Sequence, residues 1–125
     1  MKYILLISTL LFSAGSWAEW IEVSEGVTSG NKQYVDFDRI RKVNGLVYFW
    51  DLDDLLEPNS TGTMSYKSYN KADCETVRKM ILSMSVYRVP MAEGAADMTY
   101  TPDPEWTYAP PESVLEVKLN AVCAN

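Results

Sequence analysis

The sequence predicts an α+β domain, in which an antiparallel β-sheet of about five to six strands packs against a C-terminal helix that one disulfide attaches to it. Three observations predict this fold. Short segments alternate between apolar and polar residues and are separated by turn-forming residues, as antiparallel strands are. The last segment instead spaces its apolar residues as a helix does. Two cysteines follow an export signal, a context in which cysteines form disulfides.

Residues 1–18 read as a secretory signal peptide. A positive residue near the start precedes the apolar run Ile4 to Phe12, and Ser16 and Ala18 place small residues at the −3 and −1 positions of a cleavage site. The run is shorter than the roughly 20 residues of a membrane-spanning helix, and no cysteine for lipid attachment follows it. We therefore expect a single domain, 19–125, exported to the periplasm or outer cell surface, with no membrane span and no evident lipid anchor.

The charge of the chain restricts its partners. The sequence has 11 basic and 17 acidic groups, a net charge of −6, and the loss of Lys2 with the signal brings the mature chain to −7. An acidic domain repels phosphate backbones and anionic lipids, so nucleic acid is not an expected partner. Basic proteins are attracted to such a surface.

Cys74 and Cys123 are the only cysteines, and in an oxidising compartment we expect them to form a disulfide. A bridge that closes a loop of about 50 residues stabilises a fold by roughly 4 kcal/mol in the chain-entropy model. Redox-active thiols would need a C-x-x-C pair or a low-pKa environment, and the sequence shows neither.

The first half of the mature chain predicts strands joined by turns. Trp20 to Ser24 alternates apolar and polar residues, and a second strand covers Gln33 to Asp36. Asp36 also predicts a short helical turn, because aspartate caps helix N-termini. Asn44-Gly45 is the strongest hairpin signal, and it precedes the dense aromatic and β-branched strand Leu46 to Leu52.

The second half begins with a polar loop, Asp53 to Gly62, and a strand, Met64 to Tyr69. The stretch from Asp73 to Val89 fits both a helix and a strand face, but its late serines, valine and tyrosine favour a long strand. A proline-bearing stretch, 90–111, then contains one short strand around Ala96 to Tyr100.

The predicted C-terminal helix begins at Pro111-Glu112, since proline and an acidic residue suit a first helical turn. Its apolar stripe consists of Leu115, Leu119, Val122 and Cys123. Such a stripe needs a sheet to pack against.

Several short sequences, in this order, carry a resemblance to a known family. They are a tryptophan just after the signal, Tyr34-Val35-Asp36, Ile40-Arg41-Lys42, Val47 with Trp50, Tyr66-Lys67-Ser68, Asp73-Cys74, the Arg78 strand, Glu105-Trp106, Ala109-Pro110-Pro111-Glu112-Ser113 and Ala121-Val122-Cys123. Together they resemble the surface-adhesin protein E family of exported bacterial proteins, over nearly the whole mature chain. The resemblance implies an antiparallel sheet with a disulfide-attached C-terminal helix, and it allows for a homodimer. It also implies adhesion to extracellular matrix or serum proteins such as laminin, vitronectin and plasminogen.

The residue types leave little room for catalysis. The chain has no histidine, which excludes Ser-His-Asp and Cys-His nucleophiles and imidazole metal sites. Asp51, Asp53 and Asp54 form the one carboxylate cluster, and alternation puts Asp51 and Asp53 on one face of a strand. A Ca²⁺ site or an acid–base pair there stays open as an alternative, but solvated acids are common at strand ends. We expect no catalytic residue, no cofactor and no metal.

The aromatic residues divide into two groups. Trp20, Tyr48, Trp50 and Tyr66 are expected to fill the core. Tyr100, Trp106 and Tyr108 lie in the proline-bearing stretch instead and are candidates for a protein-contact surface. The basic residues Arg39, Arg41, Lys42 and Arg88 could meet an acidic partner, although scattered surface charge explains them as well.

Three hypotheses therefore remain. The first, which the resemblance favours, is a non-enzymatic adhesin E-like binding protein. The second is a periplasmic inhibitor of a basic enzyme such as lysozyme, for which Leu52 to Glu57 is the candidate acidic loop. The third is a small carboxylate hydrolase, which the missing histidine argues against.

Overall fold

The structure is a computed structural model that describes residues 18–125. Apart from Ala18, the predicted signal peptide lies outside the described residues. Within residues 18–125 no helix is long and apolar enough to cross a membrane.

In the described part of the chain the centre of the fold is one eight-stranded sheet, in which every pairing of strands is antiparallel. The predicted antiparallel sheet is thus confirmed, with more strands than the expected five to six. The order across the sheet is β1-β2-β4-β5-β6-β7. The strands are β1 Ile21–Glu25, β2 Lys32–Val35, β3 Arg41–Val43, β4 Leu46–Asp54, β5 Ser65–Asp73, β6 Arg78–Tyr87, β7 Met98–Tyr100 and β8 Thr107–Tyr108.

The additional strands arise because long central strands each pair with two short ones on the same side. β2 pairs with the C-terminal half of β4 and β3 with its N-terminal half. In the same way β7 and β8 pair with opposite halves of β6. Of these short strands, β3 and β8 were not predicted, because segments of three and two residues are too short for an alternating pattern to reveal, whereas β7 lies within the strand predicted around Ala96 to Tyr100.

The predicted turns and the long strand are confirmed. Asn44 and Gly45 have φ of 51° and 79°, the left-handed values that the hairpin between β3 and β4 requires. The Asp36 side chain accepts a hydrogen bond from the Asp38 amide at 3.2 Å and caps the 3₁₀ turn Phe37–Arg39. The ambiguous stretch forms strand β6 rather than a helix.

Helix α1, Val114–Ala124, begins three residues after Pro111, the predicted start, because the Ser113 side chain accepts a hydrogen bond from the Glu116 amide and caps it. Leu119 and Val122 from the predicted stripe are fully buried against the sheet. The Cys74–Cys123 disulfide is confirmed and joins the helix end to the turn after β5. The core cluster is Val35, Val47, Phe49, Ala72, Leu119 and Val122.

The sheet has a covered face, on which α1 packs, and an opposite open face. Alternation along β4 puts Val47 and Phe49 on the covered face and Tyr48 and Trp50 on the open face. The prediction that Tyr48 and Trp50 fill the core is therefore wrong. Both faces of β4 are apolar, so alternation alone could not identify the face that packs against the helix.

The two other aromatic residues assigned to the core also lie outside the core cluster. Trp20 and Tyr66 are half-buried. The Tyr66 hydroxyl accepts a hydrogen bond from the Asn59 side chain at 2.6 Å, in the loop between β4 and β5. Its polar tip reaches the surface, as a tyrosine at the margin of a core commonly does.

Candidate functional site

One end of the open face is closed by the chain that follows β6. The Met91 amide donates to Asp54 Oδ1 at 2.8 Å, and Ser65 Oγ accepts from the Ala92 amide at 2.9 Å. Met91 and Ala92 belong to a 3₁₀ turn, Pro90–Ala92, which packs against β4 and β5. Leu52, on the open side of β4, is consequently fully buried.

Next to this closed end, half-buried aromatic rings alternate with basic side chains. We call the set formed by Arg41, Tyr48, Trp50, Lys67, Tyr69 and Lys71 the aromatic patch. The Trp50 and Tyr69 ring centroids are 4.8 Å apart, and those of Tyr48 and Tyr69 are 6.1 Å apart. Aromatic pairs at this separation attract each other, so the rings form one continuous surface across β4 and β5.

The basic groups of the patch lie over these rings. Lys67 Nζ is 5.6 Å from the Trp50 ring centroid, and the Arg41 guanidinium carbon is 5.8 Å from that of Tyr48. Cations at such distances are attracted to the negative face of a ring. This attraction holds the ammonium and guanidinium groups at the surface of the sheet.

Trp106 and Tyr108, two of the three predicted contact residues, lie together beside the patch. The Arg78 guanidinium carbon is 4.2 Å from the Trp106 ring centroid and 5.6 Å from that of Tyr108. Arg78 also donates to the Tyr108 hydroxyl at 3.2 Å and pairs with Asp73 at 3.3 Å. Lys71 Nζ lies 5.4 Å from the Trp106 ring, so Trp106 connects Arg78 to the aromatic patch.

Tyr100, the third predicted contact residue, lies elsewhere. It pairs with Met84, on the covered side of the sheet, and its hydroxyl donates to the Met84 sulfur at 3.2 Å. The three aromatic residues therefore do not form one surface.

The aromatic patch contains basic groups without acidic partners. Within residues 18–125, Arg41, Lys67 and Lys71 have no carboxylate oxygen within 4.0 Å. Of these three, only Arg41 is among the basic residues that the sequence indicates as contacts for an acidic partner. Lys67 and Lys71 could be found from their i, i+4 spacing with Tyr69 between them, which puts all three on one face of a strand.

The other basic residues considered above lie away from the patch or are paired. Arg39 lies 3.3 Å from Asp36, and Arg88 lies 3.5 Å from Asp97. Lys42 donates to the backbone carbonyl of Asn125 at the end of the chain. A net excess of positive charge is thus concentrated on the open face of an acidic protein.

A second cluster of charges is buried on the covered face. Asp51 Oδ2 accepts a hydrogen bond from Lys118 Nζ at 2.7 Å, and Lys79 Nζ lies 3.9 Å away. The side chains of Asp51 and Lys118 are 3% and 2% exposed. Burial raises the pKa of Asp51, but Lys118 and Lys79 more than offset this and hold the pKa below its ordinary value. Asp51 is therefore an ionised partner of the helix.

Asp53 lies on the same covered face, as the alternation predicted. Its Oδ1 is buried without a hydrogen-bond partner within the described chain. Burial raises the pKa of Asp53, and the nearby Asp51 carboxylate adds to this effect. Lys118 and Lys79, rather than an open coordination site, face the two carboxylates, and residues 18–125 hold no cluster of three or more histidine, cysteine or acidic residues suited to a metal.

We expect Asp53→Asn to raise the free energy of unfolding at pH 7 by up to about 1 kcal/mol. The raised pKa means that the folded state disfavours the ionised carboxyl. The loss of stability caused by Asp53 is absent below its unfolded pKa of about 4, where the carboxyl is protonated in both states. It develops as the pH rises through the folded pKa of Asp53. Urea unfolding at pH 3 and pH 7 measures the difference, with Asp54→Asn as the matched control. A variant less stable than wild type at pH 7 would contradict this prediction.

Comparison with known proteins agrees with this architecture. The chain resembles a crystal structure of Haemophilus influenzae protein E (crystal form II) with a TM-score of 0.62 and 17% identity, covering 86% of this chain and 89% of that one. The selenomethionine form of the same protein has a TM-score of 0.61 and 17% identity, covering 87% of this chain and 88% of that one. Protein E from non-typeable Haemophilus influenzae has a TM-score of 0.54 and 16% identity, covering 83% of this chain and 76% of that one. At these identities the likeness shows the fold. No curated protein sequence matches the chain significantly.

The family comparison covers almost the whole chain. The sequence model described as surface-adhesin protein E matches residues 20–124, which include every strand of the sheet and the helix. The chain therefore belongs to the surface-adhesin protein E family.

Proposed function

We propose that this protein is exported and non-enzymatic, and that it binds a protein partner through the open face of its sheet. The observation that carries the proposal is the aromatic patch, where Arg41, Lys67 and Lys71 lack carboxylate partners within residues 18–125. Tyrosine, tryptophan and arginine are enriched among the few residues that supply most of the binding energy at protein interfaces. Family membership supports an adhesin-like role at the cell surface.

The proposed partners are extracellular matrix or serum proteins, with laminin, vitronectin and plasminogen as the candidates to test. A non-enzymatic role is supported by the absence of histidine from the sequence and by the pairing of both cysteines. Asp51, and Asp53 beside it, also face lysines rather than an open cleft.

The inhibitor hypothesis gains no particular support from the geometry. Of the acidic groups in Leu52 to Glu57, Asp53 is mostly buried and Asp54 accepts a hydrogen bond from the Met91 amide. Glu57 alone of these acids lies in the exposed part of the following loop. A protruding acidic loop that could fill a basic cleft is thus not formed by this segment.

We expect Tyr108→Ala to weaken binding to the matrix or serum partner by about tenfold or more. Tyr108 is 59% exposed beside the aromatic patch, whereas Tyr100 is 42% exposed on the other side of the sheet. Tyr100→Ala is therefore a matched control that should bind as wild type does. The measurement is surface plasmon resonance of the exported, oxidised protein on laminin, vitronectin, plasminogen and lysozyme at two salt concentrations.

The outcomes separate the hypotheses. Saturable binding to a matrix or serum protein that Tyr108→Ala weakens and Tyr100→Ala does not would support the proposal. Binding to lysozyme alone, lost at high salt, would favour charge attraction or the inhibitor hypothesis. Equal effects of both substitutions would contradict the assignment to the open face. Light scattering on the same samples tests whether the protein is a homodimer.

A further inference from the structure

We propose that the aromatic patch binds an acidic glycan, a sugar chain that carries carboxylate groups at intervals. This inference rests on the proposed use of the open face for binding and names the chemistry that the face recognises. It begins from the coexistence, in one area of the sheet, of stacked aromatic rings and basic groups without acidic partners.

The basic groups define the spacing of the charges that a ligand should carry. Lys67 and Lys71 are four residues apart on β5, which separates their Cα atoms by about 13 Å. Arg41 and Lys71 both pair with Tyr48, from β3 and β5, so they lie about 10 Å apart on either side of that ring. Each of the three groups thus lies over a ring and is far enough from the other two to receive a carboxylate of its own.

The rings between these groups provide an apolar floor. Tyr48, Trp50 and Tyr69 are half-buried, and the Tyr69 ring centroid lies 6.1 Å from that of Tyr48 and 4.8 Å from that of Trp50. Pyranose rings have apolar faces of C–H groups that stack on indole and phenol rings. The tyrosine hydroxyl and indole N–H groups can also bond to sugar hydroxyls. The patch therefore offers a stacking surface and charges to the same ligand.

The rest of the protein selects against ligands of high charge density. The sequence has a net charge of −6, so a nucleic acid with a phosphate at every nucleotide is repelled by the acidic surface around the patch. A sugar chain with a carboxylate on every second ring carries less charge and matches isolated basic groups. An acidic peptide would match the charge as well, but it lacks the flat C–H faces with which pyranose rings can stack on the rings of the patch.

The test uses the exported, oxidised protein and isothermal titration with hyaluronan oligosaccharides, whose repeat unit carries one carboxylate. The comparison ligands are the same oligosaccharide with its carboxyl groups reduced, heparin, oligothymidylate and a poly-glutamate peptide. We expect saturable binding to the hyaluronan oligosaccharide and at least tenfold weaker binding to its neutral form.

Two variants connect such binding to the patch. Lys67→Gln/Lys71→Gln should weaken oligosaccharide binding by about tenfold to a hundredfold, because each lysine would lose a charged hydrogen bond. Lys67→Arg/Lys71→Arg should keep most of it. Arg88→Gln is the control for loss of a positive charge outside the patch, since Arg88 is an exposed basic residue that pairs with Asp97. Thermal unfolding of each variant verifies that the fold is retained.

The outcomes also separate this inference from the proposed function. Failure to bind the oligosaccharide, or stronger binding to oligothymidylate or poly-glutamate, would overturn the inference. If binding to a matrix or serum protein then remained sensitive to Tyr108→Ala, the proposed function would stand. If neither the oligosaccharide nor any of the proteins bound, both would fail. Binding that Lys67→Gln/Lys71→Gln and Arg88→Gln weaken equally would overturn the assignment to the aromatic patch.

Discussion

Removal of the Cys74–Cys123 disulfide is expected to lower the free energy of unfolding by about 4 kcal/mol. The two cysteines are 49 residues apart, and the chain-entropy model gives this magnitude for a loop of that length. The bridge joins the last turn of α1 to the turn that follows β5. A domain of about 100 residues has a total stability of roughly 5–15 kcal/mol, so the protein without its disulfide should be marginal at 37 °C.

The measurement is urea unfolding of the wild type and of Cys74→Ser/Cys123→Ser. Both cysteines pack against the core, so the hydroxyl groups of the serines add a cost of their own. Cys74→Ala/Cys123→Ala and wild type reduced with dithiothreitol separate the effect of the crosslink from that of the side chains. A loss below about 1 kcal/mol in all three would contradict a mainly entropic stabilisation by the crosslink.

The sequence predicted the elements whose signals are local. Asn44-Gly45 predicted its hairpin because the left-handed conformation there favours these two residue types. The expected export and the number of cysteines predicted the disulfide without knowledge of the fold. The long strand β6 followed from its valine, serine and tyrosine content.

The sequence could not predict which face of β4 would be covered. Leu46, Tyr48 and Trp50 on one face are as apolar as Val47 and Phe49 on the other, so both faces are fit to be buried. The choice depends on where α1 packs, and the disulfide and the Asp51–Lys118 pair contribute to its position. Because both faces are apolar, the sequence alone wrongly predicts that Tyr48 and Trp50 fill the core.

The aromatic patch depends on register, which a single strand does not reveal. Lys71 lies opposite Tyr48 because β4 and β5 pair at that offset, and Trp106 reaches Lys71 only because β8 pairs with the first residues of β6. Tyr100 and Tyr108 lie eight residues apart in sequence but on opposite sides of the sheet. Proximity in sequence was therefore a poor guide to a common surface.

Lys118→Met is expected to destabilise the protein by about 3–5 kcal/mol at pH 7, because it leaves the buried Asp51 carboxylate without its hydrogen-bonded partner. Leu115 and Lys118 are three residues apart, so Lys118 lies at the side of the helix stripe that packs on the sheet. A lysine in that position could have been recognised as the partner of Asp51, which alternates with Val47 and Phe49 on the covered face.

The pH dependence distinguishes this pair from simple loss of packing. The pKa of Asp51 is lowered in the folded protein, so its contribution is present above the unfolded pKa of about 4 and is lost as the pH falls through the folded pKa. In Lys118→Met, burial would raise the pKa of Asp51 and let it become neutral in acid. The difference in unfolding free energy between wild type and variant should therefore shrink from pH 7 to pH 3.

The double variant Asp51→Leu/Lys118→Met then decides what the pair contributes. Replacing a buried ion pair by apolar side chains is often neutral or stabilising, whereas removal of one partner is costly. We therefore expect the double variant to be closer to wild type than Lys118→Met, with a coupling energy of about 2 kcal/mol or more in the cycle. Lys118 donates a hydrogen bond to Asp51 at 2.7 Å, whereas Lys79 lies 3.9 Å away, so Lys79→Met should cost less than Lys118→Met. A single variant as stable as wild type at pH 7 would mean that Lys79 alone neutralises Asp51, and that the helix is held by its apolar stripe and the disulfide.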